Sequence, residues 1–234
     1  MARGVKKTAV VTGASAGIGA AVAAEFRAAG WVVVGVARRA CADVDVSVSV
    51  ALGDDGYEAA LAQKLLPSVE EGVVCVVHNA AVLVKDDALD VDAAVVRRVI
   101  EVNVVAPTVI NRLLRPKMKP GSSILYVGST LSERAVKSTA SYVTSKHAVV
   151  GLMRATCQDA ARRGIHTCCV CPGFVDTEML HAHLSVDERA SLAARSGHDR
   201  LIAPREIARL LLSCADQPVV DGAVIHANLG QVER

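Results

Sequence analysis

The stretch Thr12-Gly13-Ala14-Ser15-Ala16-Gly17-Ile18-Gly19 limits what this chain can fold into more than any other. Before it lies a short apolar run, Lys7-Thr8-Ala9-Val10-Val11, which reads as a first strand. After it, residues 18–29 read as a helix, with Glu25 and Arg27 on the wet side and Gly30 just past the end. A strand that turns through glycines into a helix leaves backbone N–H groups free at the helix's positive end, and a pyrophosphate fits there. Gly13 suits the tight turn, Gly17 the close approach of a dinucleotide, and Gly19 the packing of helix on strand; Ser15 and Ile18 complete the cradle.

The alternation continues along the chain. Residues 31–37, 73–77, 123–127, 165–171 and 223–227 are apolar runs fit for buried strands. Residues 91–115, 140–163 and 204–215 read as helices, the first with a local break at Pro107. Only Ala40-Cys41-Ala42-Asp43 separates Arg39 from the expected third strand, so no helix is expected between strands two and three. The pattern predicts a single α/β domain over 1–234, built on a doubly wound parallel sheet of Rossmann-like type. Aromatic residues are only 3% of the chain, so Val, Ala, Leu and Ile must fill the core. Residues 177–203 are polar and rich in His, Arg and Ser; they break the rhythm and are expected to form a lid over a substrate.

Charge excludes some partners. The formal net charge is +2, with no Lys- or Arg-rich block, which argues against nucleic acid and anionic membrane. No run of about 18 uncharged apolar residues is present to span a bilayer. The first residues lack the apolar core of a signal peptide, and seven cysteines then read as reduced thiols of a cytoplasmic protein. The C-x-x-C spacing at Cys168–Cys171 lies in an apolar strand and reads as buried thiols. His181, His183 and His198 have no nearby carboxylate set and read as solvated, so no metal is expected.

The tip of the second strand reads Ala37-Arg38-Arg39. An NAD site places a carboxylate here for the ribose 2′-hydroxyl, whereas guanidinium pairs with phosphate, so NADP(H) is the expected cofactor and NAD(H) the alternative. Tyr142 and Lys146 stand four apart on one helix face, and Ser129 ends the strand before that helix. A phenol is a weak acid–base catalyst at neutral pH, and a neighbouring ammonium favours its ionised form.

With these residues in order, the chain resembles the short-chain dehydrogenase/reductase family. The matches are Thr12-Gly-x-x-x-Gly-Ile-Gly19, Asn79-Ala80, Asn103, Ser129, Tyr142-x-x-x-Lys146 and Pro172-Gly173, spread over residues 8–230. The resemblance implies a hydride transfer between NADP(H) and a carbonyl or alcohol. Tyr142 would be the general acid, Ser129 would polarise the carbonyl, Lys146 would lower the Tyr142 pKa and bind the nicotinamide ribose, and Asn103 would hold a water in a relay. Asn79, Ala80, Pro172, Gly173 and Thr177 would line the cofactor, and Asp45 would face the adenine after the third strand, with Asp43 its rival. The chain departs from the family at His78-Asn79-Ala80-Ala81, where the family has Asn-Asn-Ala-Gly, so His78 needs a hydrogen-bond partner of its own. A non-catalytic dinucleotide sensor is the rival class. Surplus apolar residues on the 91–115 and 142–163 helices, together with the family's habit, imply a homodimer or homotetramer. Val82, Leu83, Leu131, Phe174 and Met179 are the expected pocket walls.

Overall fold

A computed structural model describes residues 6–231. Seven strands form one parallel sheet: β1 (Lys7–Thr12), β2 (Val32–Ala37), β3 (Val46–Ser49), β4 (Val73–His78), β5 (Ser123–Val127), β6 (His166–Pro172) and β7 (Ala223–Ala227). Their order across the sheet is β3-β2-β1-β4-β5-β6-β7. The order therefore reverses between β1 and β4, and the crevice beyond their carboxyl ends is where such sheets bind ligands.

Helices cover both faces. Helices α1 (Gly17–Ala28) and α8 (Pro204–Ala215) lie on one side. On the other lie α2 (Tyr57–Lys64), α3 (Ala93–Ile100), α4 (Ala106–Leu114) and α5 (Ala140–Ala160). Both layers are built on β-branched valines, the residue type that packs best on a pleated surface buried on both faces. Phe26 and Trp31 add an edge-on aromatic pair, centroids 5.3 Å apart, beneath α1.

No helix intervenes between β2 and β3, as the sequence predicts. Residues 38–45 cross instead as a short irregular segment folded onto Gly35. A side chain at Gly35 would meet Val44 at 2.8 Å and Cys41 at 3.1 Å, so the missing helix is replaced by two apolar side chains resting on a bare backbone. The expected break at Pro107 falls elsewhere. The 91–115 helix is interrupted by a π-helical segment, Glu101–Val105, and Pro107 sits in the first turn of α4. Proline is tolerated there, but it has no N–H to offer the carbonyl of Asn103 four residues earlier. The 140–163 helix ends at Ala160, where the chain turns out and Arg162 takes a positive φ. Residues 177–203 hold two short helices, α6 (Glu178–His183) and α7 (Val186–Ala193), with Val186 69% exposed.

His78 finds its partner in α4. Its Nε2 lies 2.8 Å from Asn111 Oδ1, and its ring rests against Tyr126, centroids 5.0 Å apart. Asn111 Nδ2 donates to the Tyr126 hydroxyl, which in turn meets Thr156 of α5. Burial pushes the His78 pKa down to about 4, because a charged ring in the core loses its hydration. The unfolded chain therefore takes up this proton first as pH falls, and stability is lost from about pH 6.5 down to about pH 4. At about 1.4 kcal/mol per pKa unit the loss approaches 3 kcal/mol. Urea unfolding at pH 7 and pH 4.5 should show this fall in the parent and a flatter dependence in His78→Asn. Equal slopes would mean that another group carries it.

Candidate active site

The site starts at a knot between β1 and β4. The Thr12 hydroxyl accepts from the N–H groups of Asn79 and Ala80, each at 3.0 Å, and donates to Val77 O at 3.4 Å. Asn79 Nδ2 returns a hydrogen bond to Thr12 O at 2.9 Å. Gly13 follows with φ +68°, its N–H donating to Val36 O of β2. A Cβ at Gly13 would press on Asn79 and Ala80, and one at Gly19 would collide with the Gly13 carbonyl. The glycines are thus required by contact between α1 and the strand ends.

The opening turn of α1 fits a pyrophosphate. Its N-cap, Ala16, has no side-chain acceptor, and the first turn carries no acidic residue. The leading N–H groups of a helix lack partners within it, and an anion completes them. Gly17, with φ +53°, keeps the turn bare; a methyl there would stand 3.2 Å from Thr177 Cγ2. Thr177 caps α6 and lies against this turn, at the start of the 177–203 excursion. That excursion leaves and rejoins the fold at one place, where Val175 pairs with Ile202.

At the tip of β2, Arg38 and Arg39 are exposed. Arg39 pairs with Glu178 of α6 at 3.3 Å. The Arg38 guanidinium has no partner among the described residues, and no carboxylate of β2 accompanies it. Asp45 is not brought to this end. It precedes β3 instead of following it; its backbone N–H donates to Val33 O, its carboxylate accepts from Val33 N at 2.8 Å, and Arg27 lies 3.4 Å away. In a parallel pair the amino ends of β2 and β3 lie together, so Asp45 sits at the opposite edge of the sheet from the crevice. Asp43 is exposed in the crossing segment. The carboxyl end of β3 carries Ser49 and Val50 instead, and Val50 N–H donates to Ala37 O.

The catalytic candidates meet beyond β5. Tyr142 is 8% exposed and Lys146 4%. Lys146 Nζ stands 5.5 Å from the centre of the Tyr142 ring and donates to Val127 O at 2.8 Å. Ser129 Oγ accepts from Leu131 N–H at 3.1 Å, which leaves the hydroxyl proton free to donate. Ser132 Oγ accepts from Ser129 N–H and locks the turn. The Asn103 side chain is fully engaged: it accepts from Val82 N–H at 2.8 Å and donates to Val82 O and to Ser145 Oγ of α5. It clamps the β4–α3 loop to the Tyr142 helix, so the Asn103 side chain has no donor or acceptor left to hold a water. Pro172 ends β6, and Gly173 N–H donates to Ala227 O. Sequence reasoning missed Ser132, Ser145 and Asp86, whose partners are remote in the chain or generic in type; Ser129-x-x-Ser132 alone carries a local capping pattern.

Among the described residues no group of three or more His, Cys, Asp or Glu side chains is placed to hold a metal ion. Among the described residues no helix is long and apolar enough to cross a membrane. Cys169 and Cys171 are buried, with sulfurs 3.8 Å apart behind Gly128.

A doubly wound sheet with an open anion cradle after β1 and a Tyr–Lys pair beyond the end of β5 fits a nicotinamide-dependent oxidoreductase. The short chain dehydrogenase family model matches residues 7–187, and the chain belongs to the short-chain dehydrogenase/reductase family. It is 32% identical over 247 residues to a cis-4-hydroxycyclohexanecarboxylate dehydrogenase of Sinomonas cyclohexanicum, covering 96% of each chain. It is 29% identical over 236 residues to a 3-oxoacyl-(acyl-carrier-protein) reductase of Escherichia coli, again over 96% of each. Among solved structures, a Beutenbergia cavernae chain assigned as an NAD(P)-dependent gluconate 5-dehydrogenase, with NADP bound at low occupancy, superposes with a TM-score of 0.83. That chain is 30% identical, and the match covers 97% of this chain and 96% of that one.

The contact of Gly19 with Gly13 has a direct consequence. Gly19→Ala should weaken binding of either reduced dinucleotide by at least tenfold and cost about 1–3 kcal/mol of stability through overpacking. Gly151→Ala, at an open position of α5 with nothing within 4 Å, should leave binding unchanged. Calorimetric titration and thermal melts of both variants check this; equal behaviour would remove the packing argument.

Proposed function

We propose that this chain is an NADP(H)-dependent oxidoreductase interconverting a ketone and a secondary alcohol, with Tyr142 as the general acid. The observation that carries the reading is the Lys146 ammonium, 5.5 Å from the centre of the Tyr142 ring and tied to Val127 O two residues before Ser129, in a fold whose first helix opens on an uncapped turn fit for a pyrophosphate. The bound dinucleotide supplies or accepts the hydride.

The chain's residues do the rest. In reduction, Tyr142 Oη donates its proton to the carbonyl oxygen as negative charge develops there. The Ser129 hydroxyl, its oxygen held by Leu131 N–H, donates a second hydrogen bond to that oxygen. Lys146 spends one donor on Val127 O and keeps two, for the cofactor's ribose and for a water. Its charge faces the ring from which the proton leaves. Arg38, with no partner among the described residues, meets a ribose 2′-phosphate at the β2 tip; Arg39 is already engaged by Glu178 and assists less. Residues 177–203 close over the substrate, with Thr177 against the phosphate turn.

The substrate class draws on apolar walls and on relatives. Val82, Leu83, Leu131 and Phe174 are half-buried and Met179 is 39% exposed. The names of the Sinomonas and Escherichia relatives denote a hydroxyl or oxo group on a ring or acyl chain, which supports a ketone flanked by hydrocarbon.

Two measurements test the reading. Tyr142→Phe keeps the ring and removes the proton, so kcat in NADPH-coupled carbonyl reduction should fall by about 10²–10⁴-fold, with cofactor affinity little changed. Most of the turnover surviving in this variant would exclude Tyr142 as the acid. Arg38→Ala should weaken NADPH by roughly 10–100-fold and leave NADH nearly unmoved, since a charge-assisted hydrogen bond contributes about 1.5–3 kcal/mol. Dissociation constants at low and high salt check it. Equal loss for both cofactors would make Arg38 structural and return the choice to NAD(H).

A further inference from the structure

We propose that Asp86, on the β4–α3 loop, is a positioning residue that holds the first turn of the Tyr142 helix, a role that rests on the proposed chemistry of Tyr142. Helix α5 does not cap itself. Its N-cap residue, Thr139, turns its hydroxyl away to Val136 O at 2.9 Å, and no acidic residue occupies the first turn. The acceptor comes from 55 residues earlier in the chain: Asp86 Oδ1 takes the N–H of Ser141 at 3.1 Å.

The attachment has several parts. Asp86 N–H donates to Ser138 O at 3.2 Å, and Asp86 pairs with Thr139 in a parallel bridge. Ser138 carries φ +63°, a conformation that a non-glycine residue holds only when its surroundings impose it. The second carboxylate oxygen, Oδ2, is buried with no hydrogen-bond partner among the described residues, so the Ser141 N–H is the one side-chain bond that the carboxylate accepts there; Ser141 itself is 1% exposed. A carboxylate at a helix N-terminus also meets the positive end of the helix dipole.

Placement makes this anchor matter. Tyr142 directly follows Ser141, in a turn whose leading N–H groups have no acceptor within the helix. The phenol therefore rides on the part of α5 most prone to fray. Asn103 ties the same loop to Ser145 on the far side of Tyr142. Residues 82–86 are thus fastened to α5 both before and after the tyrosine, and Asp86 is the outer fastening. A displacement of about 1 Å in a reacting group can cost about a hundredfold in rate.

The test compares Asp86→Ala with Asp86→Asn, whose amide oxygen can still accept from Ser141, using two readouts. Amide hydrogen exchange at Ser141 and Tyr142 needs no substrate. It should be faster in Asp86→Ala and close to the parent in Asp86→Asn. Steady-state kinetics on a carbonyl that the parent reduces should show kcat down about 10–100-fold in Asp86→Ala, with cofactor KM unchanged, and most of it restored in Asp86→Asn. Parent-like exchange in Asp86→Ala, an unchanged kcat, or an Asp86→Asn variant as impaired as the alanine would each overturn the proposal. If the parent itself turns over no carbonyl, the functional reading fails, and the exchange rates alone decide whether Asp86 holds the turn.

Discussion

The hydroxyl of Thr12 is the point on which the site depends. It uses both lone-pair directions and its proton to bind β1 to the end of β4, at the place where the strand order reverses. Once the two strand ends are joined, the chain after β1 must leave through Gly13, and the chain after β4 must leave the other way. A side chain at Gly13 or Gly19 would press on Asn79, so the join leaves room there for glycine alone. Each interaction is an ordinary hydrogen bond worth about 1 kcal/mol net, yet together they decide where α1 begins and what its open N–H groups face.

A second constraint runs through helix packing. The π-helical segment at Glu101–Val105 carries the Asn103 side chain to the β4–α3 loop. Its amide clamps Val82 to Ser145. Near it, the His78–Asn111–Tyr126–Thr156 chain buries polar groups that all lie behind β4 and β5. Such a network is costly if broken, because each freed group would stay buried without a partner. It ties α4 and α5 to the sheet beneath the catalytic candidates, so the rigidity of the site and the stability of the core draw on the same contacts.

Much of this was legible in order along the chain. The Gly-rich turn, the alternation of valine-rich strands with helices, and the Tyr142–Lys146 spacing are local patterns, and local patterns survive in sequence because backbone geometry repeats with fixed periods. The missing helix between β2 and β3 was legible for the same reason: too few residues separate Arg39 from Val46 to form one. Asp45 was misread because its position relative to β3 is a matter of strand register, and a shift of a few residues moved it to the opposite edge of the sheet.

Periodicity and the Gly-rich turn mark the fold class from the sequence alone, whereas the Ser129, Tyr142 and Lys146 group stands out there only through the resemblance to a family, because a Tyr and a Lys four residues apart are a common pair. The tertiary structure alone decided which groups are already spent: that Arg39 is held by Glu178 while Arg38 has no partner among the described residues, that the Asn103 amide is a clamp, and that Asp86 reaches the start of α5. The physical reason is that a hydrogen bond between residues dozens of positions apart leaves no periodic trace. Its partners are set by how loops pack across strand ends, and that packing exists only once the sheet has closed.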